Sequence, residues 1–339
     1  MISQIVGFKD RFLIPYNGLK VSWFDNWHPS LDEVLQSLPE IETCPHELFR
    51  LLFKNPGSAP KKIALITEQK TPVAIVPLRR LGRLYYEVST WMIPGAVFPV
   101  KPGYLMRALE ALKIEVWVTW RRMGVLPPPS PLVRYLQAVP VHIIRLKDDY
   151  EQYWRATGQL KHIRKVRNRC KNFEYVINSP DSAEWIIRNA AEKWRKDPAG
   201  SNRVLDDWVV SDWILAAKYW ENKGRHYTIL LLDHGIPIGG VTLMVDNNDA
   251  VGGLIFRKPE YGRYSIGVRL MDLCTSFAAE SGLRTLDLGG NADYKKNWGP
   301  QEGELFFLKL CPELLFRAKQ VYGWAHWKSE KLINRVRGE

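Results

Sequence analysis

Residues 227–256 read YTILLLDHGIPIGGVTLMVDNNDAVGGLIF, and the spacing of turns within this stretch sets the architecture. Tyr227–Leu232 is a short apolar run of the kind that forms a buried strand. Asp233-His234-Gly235 supplies turn residues, and Ile236–Val245 returns as a second strand. Asp246-Asn247-Asn248-Asp249 turns again, and Ala250–Phe256 makes a third. Three consecutive strands joined by tight turns predict an antiparallel meander. The next residues, 257–264, form a loop that leads into a helix predicted over Ser265–Ser281. Gly282 ends that helix, since glycine adopts the left-handed conformation a helix C-terminus favours. Arg284–Leu288 is a further strand that runs out in Gly289-Gly290-Asn291, Glu304–Leu310 closes the series, and a basic, aromatic helix is predicted from Pro312.

Upstream of the meander, amphipathic spacing predicts helices over Asp181–Trp194 and Leu205–Glu221. Trp185, Trp194, Trp208, Trp213 and Trp220 on these helices are expected to fill a core or line an acceptor groove. Asp148-Asp149 caps a helix running to Thr157, and a second helix, Gln159–Lys171, carries Lys161, Arg164, Lys165, Arg167, Arg169 and Lys171. At 3.6 residues per turn these cations occupy most of its circumference, with Ile163 and Val166 on a narrow apolar side. Such a helix is either a solvated surface or a phosphate-contacting element.

The first half mixes short strands and helices. Lys62–Glu68 and Val73–Leu78, separated by Gln69-Lys70-Thr71-Pro72, read as a hairpin. Leu84–Val88 adds a strand, Tyr104–Leu112 a helix, Glu115–Trp120 a strand and Val141–Leu146 another. The proline-rich segment Leu126–Pro131 breaks the pattern and marks a linker near a domain boundary. A chain of 339 residues suits two domains of ordinary size, here expected at 1–147 and 148–339.

Composition narrows the function classes. The net charge of +12 favours anionic partners: a CoA pyrophosphate, a nucleic acid or an acidic membrane surface. The four cysteines, Cys44, Cys170, Cys274 and Cys311, are scattered, so neither a zinc site nor a disulfide framework is expected. The cytoplasm is the expected location. No apolar run is long enough to span a bilayer, and the first ten residues lack the pattern of a secretory signal.

Strand, strand, strand, loop, helix, strand is the central order of the acyl-CoA N-acyltransferase (GNAT) fold. Residues 150–310 resemble the CelD/BcsL-type acetyltransferase domain, a GNAT relative close to the FemAB peptidyltransferases. The matching features are the basic helix Lys161–Lys171, the loop Arg263-Tyr264-Ser265-Ile266-Gly267, and the strand end Leu286–Gly290 followed by Tyr294-Lys295-Lys296-Asn297-Trp298-Gly299. The resemblance implies a mixed α/β fold of two tandem GNAT-like units, the first degenerate and the second carrying the C-terminal helix.

It also implies that Arg263, Tyr264, Ser265, Ile266, Gly267 and Val268 hold the pyrophosphate of acetyl-CoA or another acyl-CoA. The physical basis is general, since amides at a helix N-terminus and the helix dipole both favour a dianion. Arg263 is expected to pair with phosphate, and Ser265 to cap the helix. The general GNAT loop reads Q/R-x-x-G-x-G/A, so Ile266 and Val268 depart from it and are expected to crowd an approaching pyrophosphate. Tyr294 is the expected general acid toward the leaving thiolate, and Asp287 a proton acceptor through water. Lys295 and Arg164 are expected to hold substrate. His226 and His234, flanking a strand, are expected at the surface.

The partners implied are an acyl donor and a small-molecule or peptide amine acceptor, without a metal. Two rival readings use the same fold: a tRNA-dependent aminoacyltransferase, and a non-catalytic binding module.

Overall fold

The computed structural model describes residues 18–40, 45–55, 61–80, 85–88, 98–121, 133–146, 149–196, 207–246, 248–288 and 293–311, together with positions 317 and 321. The proline-rich linker and the helix predicted from Pro312 lie outside the described residues.

The first half contains β1 (Leu19–Phe24), α1 (Ser30–Gln36), α2 (His46–Lys54), β2 (Lys61–Glu68), β3 (Thr71–Arg80), β4 (Tyr85–Val88), α3 (Leu105–Ala111), β5 (Glu115–Arg121) and β6 (Val133–Arg145). The second opens with the helices α4 (Tyr150–Ala156) and α5 (Leu160–Arg169). It continues with β7 (Glu174–Ile177), α6 (Ser182–Lys196), α7 (Asp207–Asn222), β8 (His226–Asp233), β9 (Ile236–Asp246), β10 (Asp249–Arg257), α8 (Ile266–Glu280), β11 (Thr285–Asp287) and β12 (Gln301–Leu310). Short 3-10 turns cover Pro259–Tyr264 and Asp293–Asn297.

The described strands form one twelve-stranded sheet in the order β1-β2-β3-β4-β5-β12-β6-β11-β10-β9-β8-β7. That order carries an internal repeat. From β1 and from β7 onward, each half runs strand, two helices, three strands, helix, two strands. In each, one helix crosses between two parallel strands: α3 between β4 and β5, and α8 between β10 and β11. The last strands are exchanged. β6 pairs with β11 of the second half, and β12 pairs with β5 of the first, while β6 and β12 pair with each other at the centre. β6 is 13 residues long, far beyond the Val141–Leu146 read from sequence, because it spans both halves.

Helices cover both faces of each half, so the strands alternate between two cores. In β8, Ile229 and Leu231 join a core with α4, α5 and α8, while Leu230 faces α6 and α7 on the other side. This two-sided burial explains why the sequence there is a continuous apolar run. Gly239 and Gly240 on β9 let helices approach from both sides. A Cβ at Gly239 would lie 2.7 Å from Ile266 of α8, and one at Gly240 would lie 2.7 Å from Ile186 of α6. In the first half Ala64 and Ile66 pack toward α3, and Ile63 and Leu65 toward α1 and α2. A smaller cluster joins Leu48 and Leu52 of α2 to Ala216 and Trp220 of α7.

Local signals account for the boundaries. Asp149 caps α4 by accepting from the Glu151 amide at 2.9 Å. Gly282, at φ 71°, ends α8, and the Leu283 amide reaches back to the Ala278 carbonyl at 3.0 Å. The hairpin turn between β2 and β3 uses Gln69 and Lys70, both at positive φ.

Candidate functional site

β10 and β11 pair in parallel over only three positions, Asp249–Val251 against Thr285–Asp287. β10 then bulges between Gly252 and Ile255, where the Leu254 amide donates to the buried Thr242 hydroxyl at 2.8 Å. It continues to Arg257 while β11 stops at Asp287, so the two strands part toward their carboxyl ends. Such an opening between parallel strands is where α/β sheets place ligands. α8 begins beside it.

At the start of α8, Ser265 has φ 60° and ψ 44° and serves as the N-terminal boundary residue without a side-chain cap. The expected cap is absent because capping needs an extended backbone at that residue. Its carbonyl instead takes the amides of Val268 and Arg269 at 2.9 and 3.2 Å. Ile266 and Gly267 stand in the first turn, whose amides have no intrahelical acceptor. The Ile266 side chain is fully buried against the β9 glycine, and Val268 packs against the same core. Both branched side chains therefore pack toward the core rather than out from the loop. Gly267 has only the Arg257 side chain near its missing Cβ, at 3.7 Å.

Arg263 is exposed and stacks on the Tyr264 ring at 4.8 Å, with its guanidinium donating to the Tyr264 hydroxyl at 2.9 Å. Tyr264 is anchored on Phe173, ring centroids 5.0 Å apart, and its carbonyl accepts from the Cys170 thiol at 3.4 Å.

At the end of β11, Asp287 is buried, with Ile143 and Val251 as its neighbours in register. By strand alternation it faces away from Leu286 and the α8 core. Lys295 folds back on this strand end, its ammonium donating to the Leu288 carbonyl at 2.5 Å. The Tyr294 side chain lies outside the described residues. Trp298, in the same segment, is buried edge-on against Trp154 at 5.6 Å, and its carbonyl accepts from the Tyr153 hydroxyl at 2.5 Å. Burial, and then the charge of Glu302, push the Tyr153 phenol up to about 12.

His142 was not singled out by sequence. It is buried on β6, and its Nδ1 lies 2.9 Å from the Gly299 carbonyl. A carbonyl only accepts, so Nδ1 carries the proton and Nε2 is the basic nitrogen. That Nε2 is buried without a hydrogen-bond partner. The amide of Leu288 donates to the His142 carbonyl at 2.9 Å, which ties this residue to the end of β11.

Arg164 is elsewhere. It pairs with Glu151 at 2.9 Å and lines a surface cavity between α4 and α5. The neighbouring Arg167 makes a forked contact to the buried Asp272 of α8, at 2.9 and 2.7 Å. Arg269 reaches the same carboxylate at 2.6 Å, and Arg167 also donates to Glu151. The hydrogen bond to Asp272 is the main reason the Arg167 guanidinium is held still further above its ordinary range. This buried network locks the basic helix α5 onto α8.

Of the histidines expected at the surface, His234 is exposed, but His226 is fully buried at the start of β8. Its run of sequence, Arg225-His226-Tyr227, looks polar, yet it lies opposite Met244 next to the cluster joining α2 and α7. The tryptophans are mainly core: Trp220 is buried, Trp185 packs on Phe256 at 5.4 Å, and Trp194 meets Trp213 at 6.4 Å. The Trp208 side chain lies outside the described residues. Among the described residues no cluster of His, Cys, Asp and Glu is placed to hold a metal, and no helix is long and apolar enough to cross a membrane.

With this geometry in view, residues 157–296 match the family model described as an acetyltransferase (GNAT) domain. That segment is similar to GNAT acetyltransferase domains, and the mixed α/β sheet is consistent with a GNAT-like fold. Among solved structures, a tandem GNAT protein from the clavulanic acid biosynthesis pathway is similar at 11% identity and TM-score 0.47, covering 86% of this chain and 97% of that one. FemX is similar at 12% identity and TM-score 0.43, covering 84% and 96%. L-PGS from Bacillus licheniformis is similar at 12% identity and TM-score 0.49, covering 83% and 91%. No curated protein sequence matches the chain.

Proposed function

We propose that the chain is an N-acyltransferase that moves an acetyl or longer acyl group from acyl-CoA to an amine of a small molecule or peptide. The observation that carries this reading is the parting of β10 and β11 beside the N-terminus of α8. There the first-turn amides at Ile266 and Gly267, the Ser265 hydroxyl and the exposed Arg263 gather donors suited to a pyrophosphate. Tyr264 forms the wall on which Arg263 rests, and Val268 supports the turn from the core side.

Acyl transfer to an amine needs a proton acceptor for the attacking amine and a proton donor for the leaving thiolate. Tyr294 follows β11 and supplies a phenol, which keeps its proton at neutral pH. Asp287 takes the amine proton through water, and Lys295, held at the Leu288 carbonyl, orients an anionic group of the substrate. Arg164 engages acceptor at a distance from this centre. Residues 1–147 form the degenerate counterpart of the 148–339 unit, a reading supported by the repeated order of elements. The three described thiols, Cys170, Cys274 and Cys311, are free and buried, which suits the cytoplasm.

The test is ligand-induced thermal stabilisation with acetyl-CoA, longer acyl-CoAs and free CoA. Stabilisation by CoA species, weakened by about 1.5–3 kcal/mol in Arg263→Ala, supports the donor loop. Once an acceptor is found, Tyr294→Phe should slow CoA release about 10²–10⁴-fold. No stabilisation by any CoA species leaves the aminoacyl-tRNA donor or the binding module instead.

A further inference from the structure

We propose that the cavity between α4 and α5 binds the phosphoryl group of a small phosphomonoester or diphosphate. On the acyl-transfer reading above, on which only this last identification rests, that compound is the acceptor. The cavity measures about 370 Å³ and is lined by Arg155, Gly158, Leu160, Lys161 and Arg164. Its volume falls in the range of small-molecule sites, roughly 300–1,000 Å³.

The lining is cationic beyond what its own contacts neutralise. Arg155 and Lys161 have no ion-pair partner among the described residues. Arg164 is held by Glu151, but the same carboxylate also takes Arg167. Arg167 and Arg269 in turn share Asp272. Three cations thus line the cavity, and of these only Arg164 meets a carboxylate, one it shares with Arg167. Arg164 meets Glu151 through one guanidinium nitrogen and is otherwise exposed, so its remaining donors are open to a ligand. Gly158, at φ 71°, has nothing within 4 Å of where a Cβ would stand, so the floor of the cavity is open.

The location separates this cavity from the donor loop. α5 has ten residues, about 15 Å along its axis. The end opposite the cavity carries Cys170, whose thiol touches the Tyr264 carbonyl. A pyrophosphate at the α8 N-terminus is therefore about one helix length away. The cations converge from two helices on a concavity with Leu160 on its wall, a shape that fits a compact phosphorylated compound rather than a polymer or a lipid surface.

The experiment is calorimetric titration of the full chain with inorganic pyrophosphate. Parallel titrations use anionic phospholipid vesicles and a single-stranded oligonucleotide. Expected is saturable pyrophosphate binding that weakens at least about tenfold in Arg155→Ala/Lys161→Ala, in line with the loss of charge-assisted hydrogen bonds. The component of binding that the double variant loses should persist within about twofold in Arg263→Ala, which removes only binding at the donor loop. An unchanged melting temperature of the double variant shows that its fold is intact. Binding that is lost in Arg263→Ala but kept in the double variant overturns the proposal. So does vesicle or oligonucleotide binding that needs Arg155 and Lys161 without any binding of pyrophosphate. Acetyl-CoA stabilisation is measured on the same variants. If acetyl-CoA fails to bind while the cavity takes pyrophosphate, the donor assignment falls and the anion site stands.

Discussion

The buried His226 makes folding stability depend on pH in a way that can be isolated. Both ring nitrogens lack partners, and burial lowers its pKa from 6.5 to about 4. The folded chain therefore keeps this imidazole neutral across a range in which the unfolded chain protonates it. Below pH 6.5 the unfolded state binds the extra proton, so stability present above that pH is lost as pH falls toward 4, and then levels off. A tenfold difference in proton affinity is worth about 1.4 kcal/mol, which gives about 2 kcal/mol lost between pH 6.5 and 5 and about 3 kcal/mol by pH 4. Carboxylates elsewhere also titrate in acid, so the measurement is a difference. Urea unfolding of the parent and of His226→Leu at pH 8, 6.5 and 5 gives two stability curves. The parent should lose about 2 kcal/mol more than the variant between pH 8 and 5. Parallel curves would mean that His226 meets water or a hydrogen-bond partner in solution and that its burial carries no such penalty.

Asp272→Ala should lower stability by about 3–5 kcal/mol, because it leaves Arg167 and Arg269 without their buried counter-charge. Chemical denaturation reads the loss, and Arg167→Met in the same background should restore part of it. Gly299→Ala would place a Cβ 2.7 Å from the Ile143 carbonyl oxygen, so a cost of about 1–3 kcal/mol is expected, seen as a lower melting temperature. For His142, long-range nitrogen–proton NMR correlation should show the proton on Nδ1 at pH 8; a proton on Nε2 contradicts the bond to Gly299.

The meander was legible because each of its turns carries residues that tolerate positive φ, and because strands buried on both faces show as unbroken apolar runs. The loop at Arg263–Val268 was legible as a position but not as a geometry. Sequence spacing gives no sign that Ser265 turns left-handed and sends the Ile266 side chain into the core. β7, with Tyr175 and Ile177 exposed at the sheet edge, has no alternating pattern to read. β1, α1 and α2 were missed as well, since a seven-residue helix such as α1 spans too few turns to establish a period. The Arg167–Asp272 pair joins residues 105 positions apart, and His142 and Gly299 are 157 apart, so proximity in sequence says nothing of either.

The exchange of β6 and β12 bears on how the chain is made. As the protein emerges from the ribosome, the first half has β1 to β5 but lacks the strand that flanks β5, which is the last described strand of the chain. That edge of β5 stays unpaired until β12 has been synthesised, and β6 waits for β11 as well as β12. An exposed edge of that kind is a template for pairing with other chains. Residues 1–147 expressed alone would keep β5 and β6 but lack the β12 strand that lies between them, so each half draws on the other to complete its sheet even though their elements repeat.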